Sequence, residues 1–123
     1  MIYSKKEPLV LKLSDSDNPV EIRIDCYNGT NTDVAFSFEG KPIIVSCEQI
    51  KLIGNTLRLK GNSILFAGAA YNANDDVIRV THTIKEKNGN EIVYTFPDDY
   101  DDIPPYEQSD DELPDYDFTV RYE

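Results

Sequence analysis

Apolar and polar residues alternate along most of the first 96 residues of the chain. This alternation has a period of two, which places the apolar side chains on one face of an extended segment and is typical of a half-buried β-strand. It is clearest in residues 20–27, 34–38, 57–60, 78–84 and 92–96. No segment carries a long pattern with the 3.6-residue period of an amphipathic helix. The pattern therefore predicts a chain built from strands.

Turn sequences separate these strands at short intervals. Lys87-Asn88-Gly89-Asn90 is the clearest, because Asn-Gly accepts the positive φ angles of a type I′ turn. We expect hairpins over residues 33–47, 57–67 and 77–96, whereas residues 47–53 fit either a strand or a capped helix. About eight short strands at this spacing predict an all-β fold, either an antiparallel β-sandwich or a jelly-roll-like barrel.

Alternation returns near the end of the sequence, in residues 117–122. Phe118, Val120 and Tyr122 would share one face of this strand. A strand that follows a polar segment is suited to pairing with an exposed sheet edge, either of its own chain or of another molecule. We therefore take these three side chains as candidate partner-binding residues, with docking in cis and in trans both open.

Charge divides the chain into two parts. Residues 1–96 hold 11 Lys and Arg and 12 Asp and Glu, whereas residues 97–123 hold one Arg and 11 Asp and Glu. We accordingly predict a β-sandwich domain over residues 1–96 and an extended acidic C-terminal arm, rich in Pro and Tyr, over residues 97–123. The first acidic cluster supplies four further candidate partner-binding residues, which are Asp98, Asp99, Asp101 and Asp102.

Sequence motifs for catalysis or metal binding are absent. The sequence contains no glycine-rich phosphate loop and no nucleophile elbow, and one histidine with two cysteines is too few for a zinc finger. His82 lies in an apolar series and is interpreted as a packed residue that a neighbour satisfies by hydrogen bonding. Cys26 and Cys47 are interpreted as buried free thiols, with a disulfide as the alternative. We predict no catalytic residue, no metal and no cofactor.

Composition also limits the kinds of partner that the chain is expected to bind. Lys and Arg are scattered singly, which disfavours direct binding to nucleic acid, and no segment approaches the roughly 20 apolar residues of a membrane span. No secretion signal follows Met1, so synthesis in a cytoplasm is expected.

Three functions remain open on this basis. The favoured one is a non-enzymatic structural or assembly protein, a virion or phage-tail-like particle component that self-associates or docks on a neighbouring subunit through its arm. The alternative is an anti-defence or inhibitor protein whose acidic tail mimics nucleic acid in a basic nucleic-acid-binding protein. A carbohydrate-binding module would need exposed aromatic platforms, for which Tyr27, Tyr71 and Tyr94 are candidates.

Overall fold

A computed structural model describes residues 2–72, 77–97 and 114–123. The prediction of an all-β chain is confirmed, since these residues form ten strands and a single helical turn. The described strands make two separate sheets and do not close into a barrel. The elements are β1 (Ile2–Ser4), β2 (Leu9–Leu11), β3 (Pro19–Cys26), β4 (Thr30–Phe38), β5 (Lys41–Ser46), β6 (Ile50–Asn55), α1 (Thr56–Leu59), β7 (Ser63–Asn72), β8 (Val80–Glu86), β9 (Glu91–Phe96) and β10 (Asp115–Tyr122).

The first sheet has β10 in its interior. Its order is β5-β4-β7-β10, and the free side of β10 is shared by β1 and β2, which both run parallel to it. Ile2 pairs with Asp115 at one end of β10, and Leu11 pairs with Tyr122 at the other. On its opposite side β10 runs antiparallel to β7. The sequence-based boundary at residue 96 thus separates β10 from the strands with which it pairs.

The second sheet has the order β6-β3-β8-β9 and is antiparallel throughout. A turn connects β8 to β9 where the sequence predicts one, but only Asn88 has a positive φ, of 59°, and Gly89 does not, so the turn is not of type I′. The predicted hairpin over residues 57–67 is wrong, because Thr56–Leu59 forms the short helix α1. Leu59 points into the core and Leu57 into solvent. In so short a segment, two leucines separated by one residue are compatible with a helical turn as well as with a strand. The ambiguous residues 47–53 become a strand from Ile50 onward.

The inward faces of the two sheets share one hydrophobic core. A series of aromatic rings crosses it, with centroid separations of 5.1 Å from Phe66 to Phe118 and 4.5 Å from Phe118 to Tyr94. Phe66 and Phe118 belong to the first sheet and Tyr94 to the second. Burying each such ring contributes roughly 1.5–3 kcal/mol. The alternating apolar positions therefore mark the faces that hold the two sheets together.

A disulfide bond connects the two sheets at one end. Cys26 ends β3 in the second sheet, and Cys47 directly follows β5 in the first. Their Cα atoms are 5.6 Å apart, within the ordinary range for a disulfide. The expectation of two free thiols is therefore wrong. Strand-like surroundings suggested buried thiols, yet both residues are only half-buried at strand ends, where the sheets approach each other.

Candidate functional site

The seven residues proposed from sequence to bind a partner fall into two groups. Asp98, Asp99, Asp101 and Asp102 lie outside the described residues. Phe118, Val120 and Tyr122 lie on the inward face of β10, where their exposed fractions are 0%. Of the two docking modes left open, the strand therefore docks in cis. Its apolar face is covered by the chain's own core and is not available to a separate molecule.

His82 takes part in a buried hydrogen-bond network between the two sheets. Its Nδ1 lies 2.8 Å from the carbonyl oxygen of Tyr94, and its Nε2 lies 2.8 Å from the hydroxyl of Tyr116. A carbonyl only accepts, so Nδ1 carries the proton in the neutral ring, and Nε2 accepts from Tyr116. Burial lowers the pKa of His82 to about 4. The histidine is packed and hydrogen-bonded, as its position in an apolar series predicts.

Tyr116 owes its position to a glycine on the neighbouring strand. Gly68 pairs with Tyr116 across β7 and β10, and a Cβ atom at Gly68 would come within 2.7 Å of the Tyr116 ring. The absence of a side chain at Gly68 therefore makes room for the Tyr116 ring. The Tyr116 hydroxyl also lies 3.3 Å from the hydroxyl of Thr32, which donates to the carbonyl of Ala69 at 2.8 Å. Burial raises the pKa of Tyr116.

Glu86 is a buried carboxylate that sequence analysis did not single out. It accepts hydrogen bonds from the backbone N–H of Ser14 and the side-chain amide of Asn18, each at 2.8 Å, and from the Ser14 hydroxyl. These donors, the Ser14 hydroxyl foremost, lower the pKa of Glu86. The carboxylate thereby fixes the loop between β2 and β3. Continued alternation from His82 and Ile84 to Glu86 was the available indication that this side chain points inward.

A groove of about 730 Å³ opens where the edges of the two sheets meet. We call it the edge groove. Its floor is tightly packed, because a Cβ atom at Gly54 would lie 2.9 Å from the Phe38 ring. Across its mouth, Arg58 and Glu39 form an ion pair at 2.6 Å. The apolar side chains along it are Phe38, Ile43, Leu52, Ile53 and Leu57, and the charged ones are Asp17, Glu39, Lys41 and Arg58.

A second concavity, of about 430 Å³, includes outward-facing residues of β4 and β7. We call it the Tyr71 depression, and its lining includes Asn31, Asp33, Ser46, Cys47, Ala69 and Tyr71. Of the three tyrosines suggested as platforms, Tyr94 is buried, so the prediction is wrong for this residue. Tyr27 is exposed, but the guanidinium of Arg79 lies 5.5 Å from its ring centroid. Tyr71 is exposed and borders a concave surface.

Comparison with known proteins gives no relative, since no family model, curated protein or solved structure matches the chain. In the described ranges, no helix is both long and apolar enough to cross a membrane. In the same part of the chain, no group of three or more His, Cys, Asp or Glu side chains is placed to hold a metal ion. A proposal about function must therefore come from the two concave surfaces and the exposed sheet edges.

Proposed function

We propose that this chain is a non-enzymatic assembly protein that associates with a second copy of itself through the edge groove. The observation that carries the proposal is the exposed apolar edge formed by β6. Ile50 and Leu52 on this strand are 58% and 53% exposed, and β6 has a paired neighbour on one side only among the described strands. An exposed edge strand bearing large apolar side chains is a template for pairing with another chain.

The charges around the groove favour a second copy as the partner. Asp17 and Glu39 are balanced by Lys41 and Arg58, so the same surface on another molecule presents complementary charges. An isologous interface uses the same patch on both copies, and a patch that carries charges of both signs can be complementary to itself.

We place the assembly in a particle such as a virion or a phage-tail-like machine, at its surface. The disulfide between Cys26 and Cys47 supports an oxidising setting after synthesis, where such bonds persist. We propose the edge groove in place of the C-terminal strand as the surface of association, because β10 is paired on both sides within the chain.

The test is the molar mass of the full chain over a range of concentrations, measured by sedimentation equilibrium. Leu52→Glu places a charge in the groove and should shift the population to monomer. Leu65→Glu is the matched control, since Leu65 is 56% exposed on the outward face of β7, away from the groove. A wild-type chain that stays monomeric at the highest concentration would overturn the proposal, as would equal effects of the two variants.

Mimicry of nucleic acid is the second candidate, and one observation favours it. Phe96 and Tyr116, which lie before and after the acidic segment in the sequence, belong to the same core, and their rings stack with centroids 4.2 Å apart. A partner with a basic groove would bind these carboxylates with a steep dependence on salt. Replacing Asp98, Asp99, Asp101 and Asp102 by Asn should then abolish capture of the partner, while self-association through the edge groove should be unchanged or stronger.

A further inference from the structure

We propose that the Tyr71 depression binds a pyranose unit of a glycan. The inference is separate from self-association, because the depression and the edge groove share no lining residue. A sugar ring has an apolar C–H face and a rim of hydroxyls that donate and accept hydrogen bonds. A binding site for it therefore needs an exposed aromatic ring beside mixed polar groups.

Strand register brings those groups to one surface. Tyr71 of β7 pairs directly with Asn31 of β4, so their side chains leave the sheet on the same face. Two residues along, Asp33 pairs with Ala69 of β7 and, on its other side, with Ser46 of β5. Directly opposed side chains lie about 5 Å apart and diagonal ones about 7–8 Å apart. An aromatic ring, an amide and a carboxylate thus surround the small methyl group of Ala69.

The low floor at Ala69 lets a ligand approach the sheet closely. A larger residue there would fill the space between Tyr71 and Asp33. Tyr71 is 43% exposed, so its ring has free surface on which a flat C–H face can stack. Sequence composition alone pointed to Tyr71 only as one of three tyrosines. The register with Asn31 and Asp33 supplies the polar half of the site.

The walls of the depression are held in place before any ligand binds. The Ser46 hydroxyl donates to Oδ1 of Asp33, which orients that carboxylate. Cys47 is fixed by its disulfide to Cys26, and the backbone N–H of Thr32 lies 3.3 Å from its sulfur. A site whose polar groups are already oriented loses less conformational freedom on binding.

The charge of the lining selects against other small ligands. Asp33 is the only acidic residue in the described lining, and no Lys or Arg is present there, so phosphates and other anions are disfavoured. A neutral polyhydroxylated ring can donate hydroxyls to Asp33 and both donate to and accept from Asn31. An organic amine is the competing occupant, since it could stack on Tyr71 and pair with Asp33.

The experiment is a titration of the full-length, isotope-labelled chain with methyl pyranosides of glucose, galactose, mannose and N-acetylglucosamine, followed by amide NMR shifts and saturation transfer. Binding of at least one glycoside should shift the amides of Asn31, Asp33, Ala69 and Tyr71. Tyr71→Ala should weaken that binding about tenfold, the upper range for one aromatic contact. Tyr71→Phe should retain it, because the stacking face is kept, and Asp33→Asn should weaken it about tenfold by removing a charged acceptor.

Tyr27→Ala is the matched control, since Tyr27 is comparably exposed but lies outside the depression. It should leave the affinity unchanged. Methylamine and lysine methyl ester are titrated in parallel. If no glycoside shifts these amides, the proposal is wrong. It is equally wrong if only the amines bind there. It is also wrong if Tyr71→Ala and Tyr27→Ala both keep the wild-type affinity for a glycoside while their amide spectra show that both variants are folded.

Discussion

Folding stability should fall by about 2 kcal/mol between pH 7 and pH 5 through His82 alone. The folded-state pKa of His82 is about 4, and its ordinary value is 6.5. The unfolded chain therefore takes up a proton as the pH falls through 6.5, while the folded chain does not until the pH approaches 4. The contribution of neutral, buried His82 to stability is fully present above its ordinary pKa and is lost progressively as the pH falls below it. The full loss is about 3 kcal/mol, at 1.36 kcal/mol for each unit of pKa.

Between pH 5 and pH 7, the change in folding stability depends mainly on His82. It is the single histidine of the chain, and the ionisable side chains that touch its ring, Tyr94 and Tyr116, are both tyrosines, a residue type whose ordinary pKa is about 10. Urea unfolding at both pH values, followed by circular dichroism, gives the free energy of unfolding. His82→Gln should be less stable at pH 7 by about 1–2 kcal/mol but should lack the extra loss at pH 5. Equal losses in the variant and the wild type would refute the reasoning, as would a folded-state pKa near 6.5 measured by NMR.

Three further outcomes follow from particular contacts. The hydroxyl of Tyr122 is buried without a hydrogen-bond partner in the described structure, so Tyr122→Phe should raise the free energy of unfolding by about 1 kcal/mol. Tyr116→Phe should lower it by about the same amount, because the Tyr116 hydroxyl is hydrogen-bonded to His82. Urea titrations of the two variants should therefore show changes of opposite sign. Replacing Cys26 and Cys47 by Ser should lower the free energy of unfolding by about 3 kcal/mol, because their disulfide spans 21 residues of sequence. A free energy of unfolding that does not change when reductant is added would contradict this expectation. Val120→Pro should abolish cooperative thermal unfolding, since it removes a backbone donor from a strand paired on both sides; a sharp transition in the variant would show that β10 is dispensable.

The strands were largely predictable from sequence because each half-buried strand contributes one apolar face to a shared core. Residues 20–24, 34–38 and 80–84 alternate in burial as they alternate in polarity. Strand neighbours were not predictable, because pairing depends on contacts between segments far apart in sequence. The alternation of Phe118, Val120 and Tyr122 indicated a strand, but not that it would lie between β7 on one side and β1 and β2 on the other.

The candidate sites were harder to predict for the same reason. The edge groove combines side chains from the edges of two sheets, and the Tyr71 depression depends on the register of β4 with β7. Neither is contiguous in the sequence. For Cys26 and Cys47 the disulfide was only the alternative, because their proximity arises only when the second sheet packs on the first. Glu86 is the exception, since its place in an alternating series was visible and was overlooked.

The parallel pairing of β1 and β2 with β10 determines how the domain would respond to mechanical force. The start of β1 pairs with the start of β10, while Glu123 lies beyond the far end of β10 and bonds to Leu11 and Leu13. A pull on residues 2 and 123 in opposite directions therefore slides these strands along each other. Their hydrogen bonds are loaded together in shear rather than opened one after another. A subunit tethered by both ends within a particle would resist extension through this ladder, and its lifetime under load would be set by the rate of unfolding rather than by equilibrium stability.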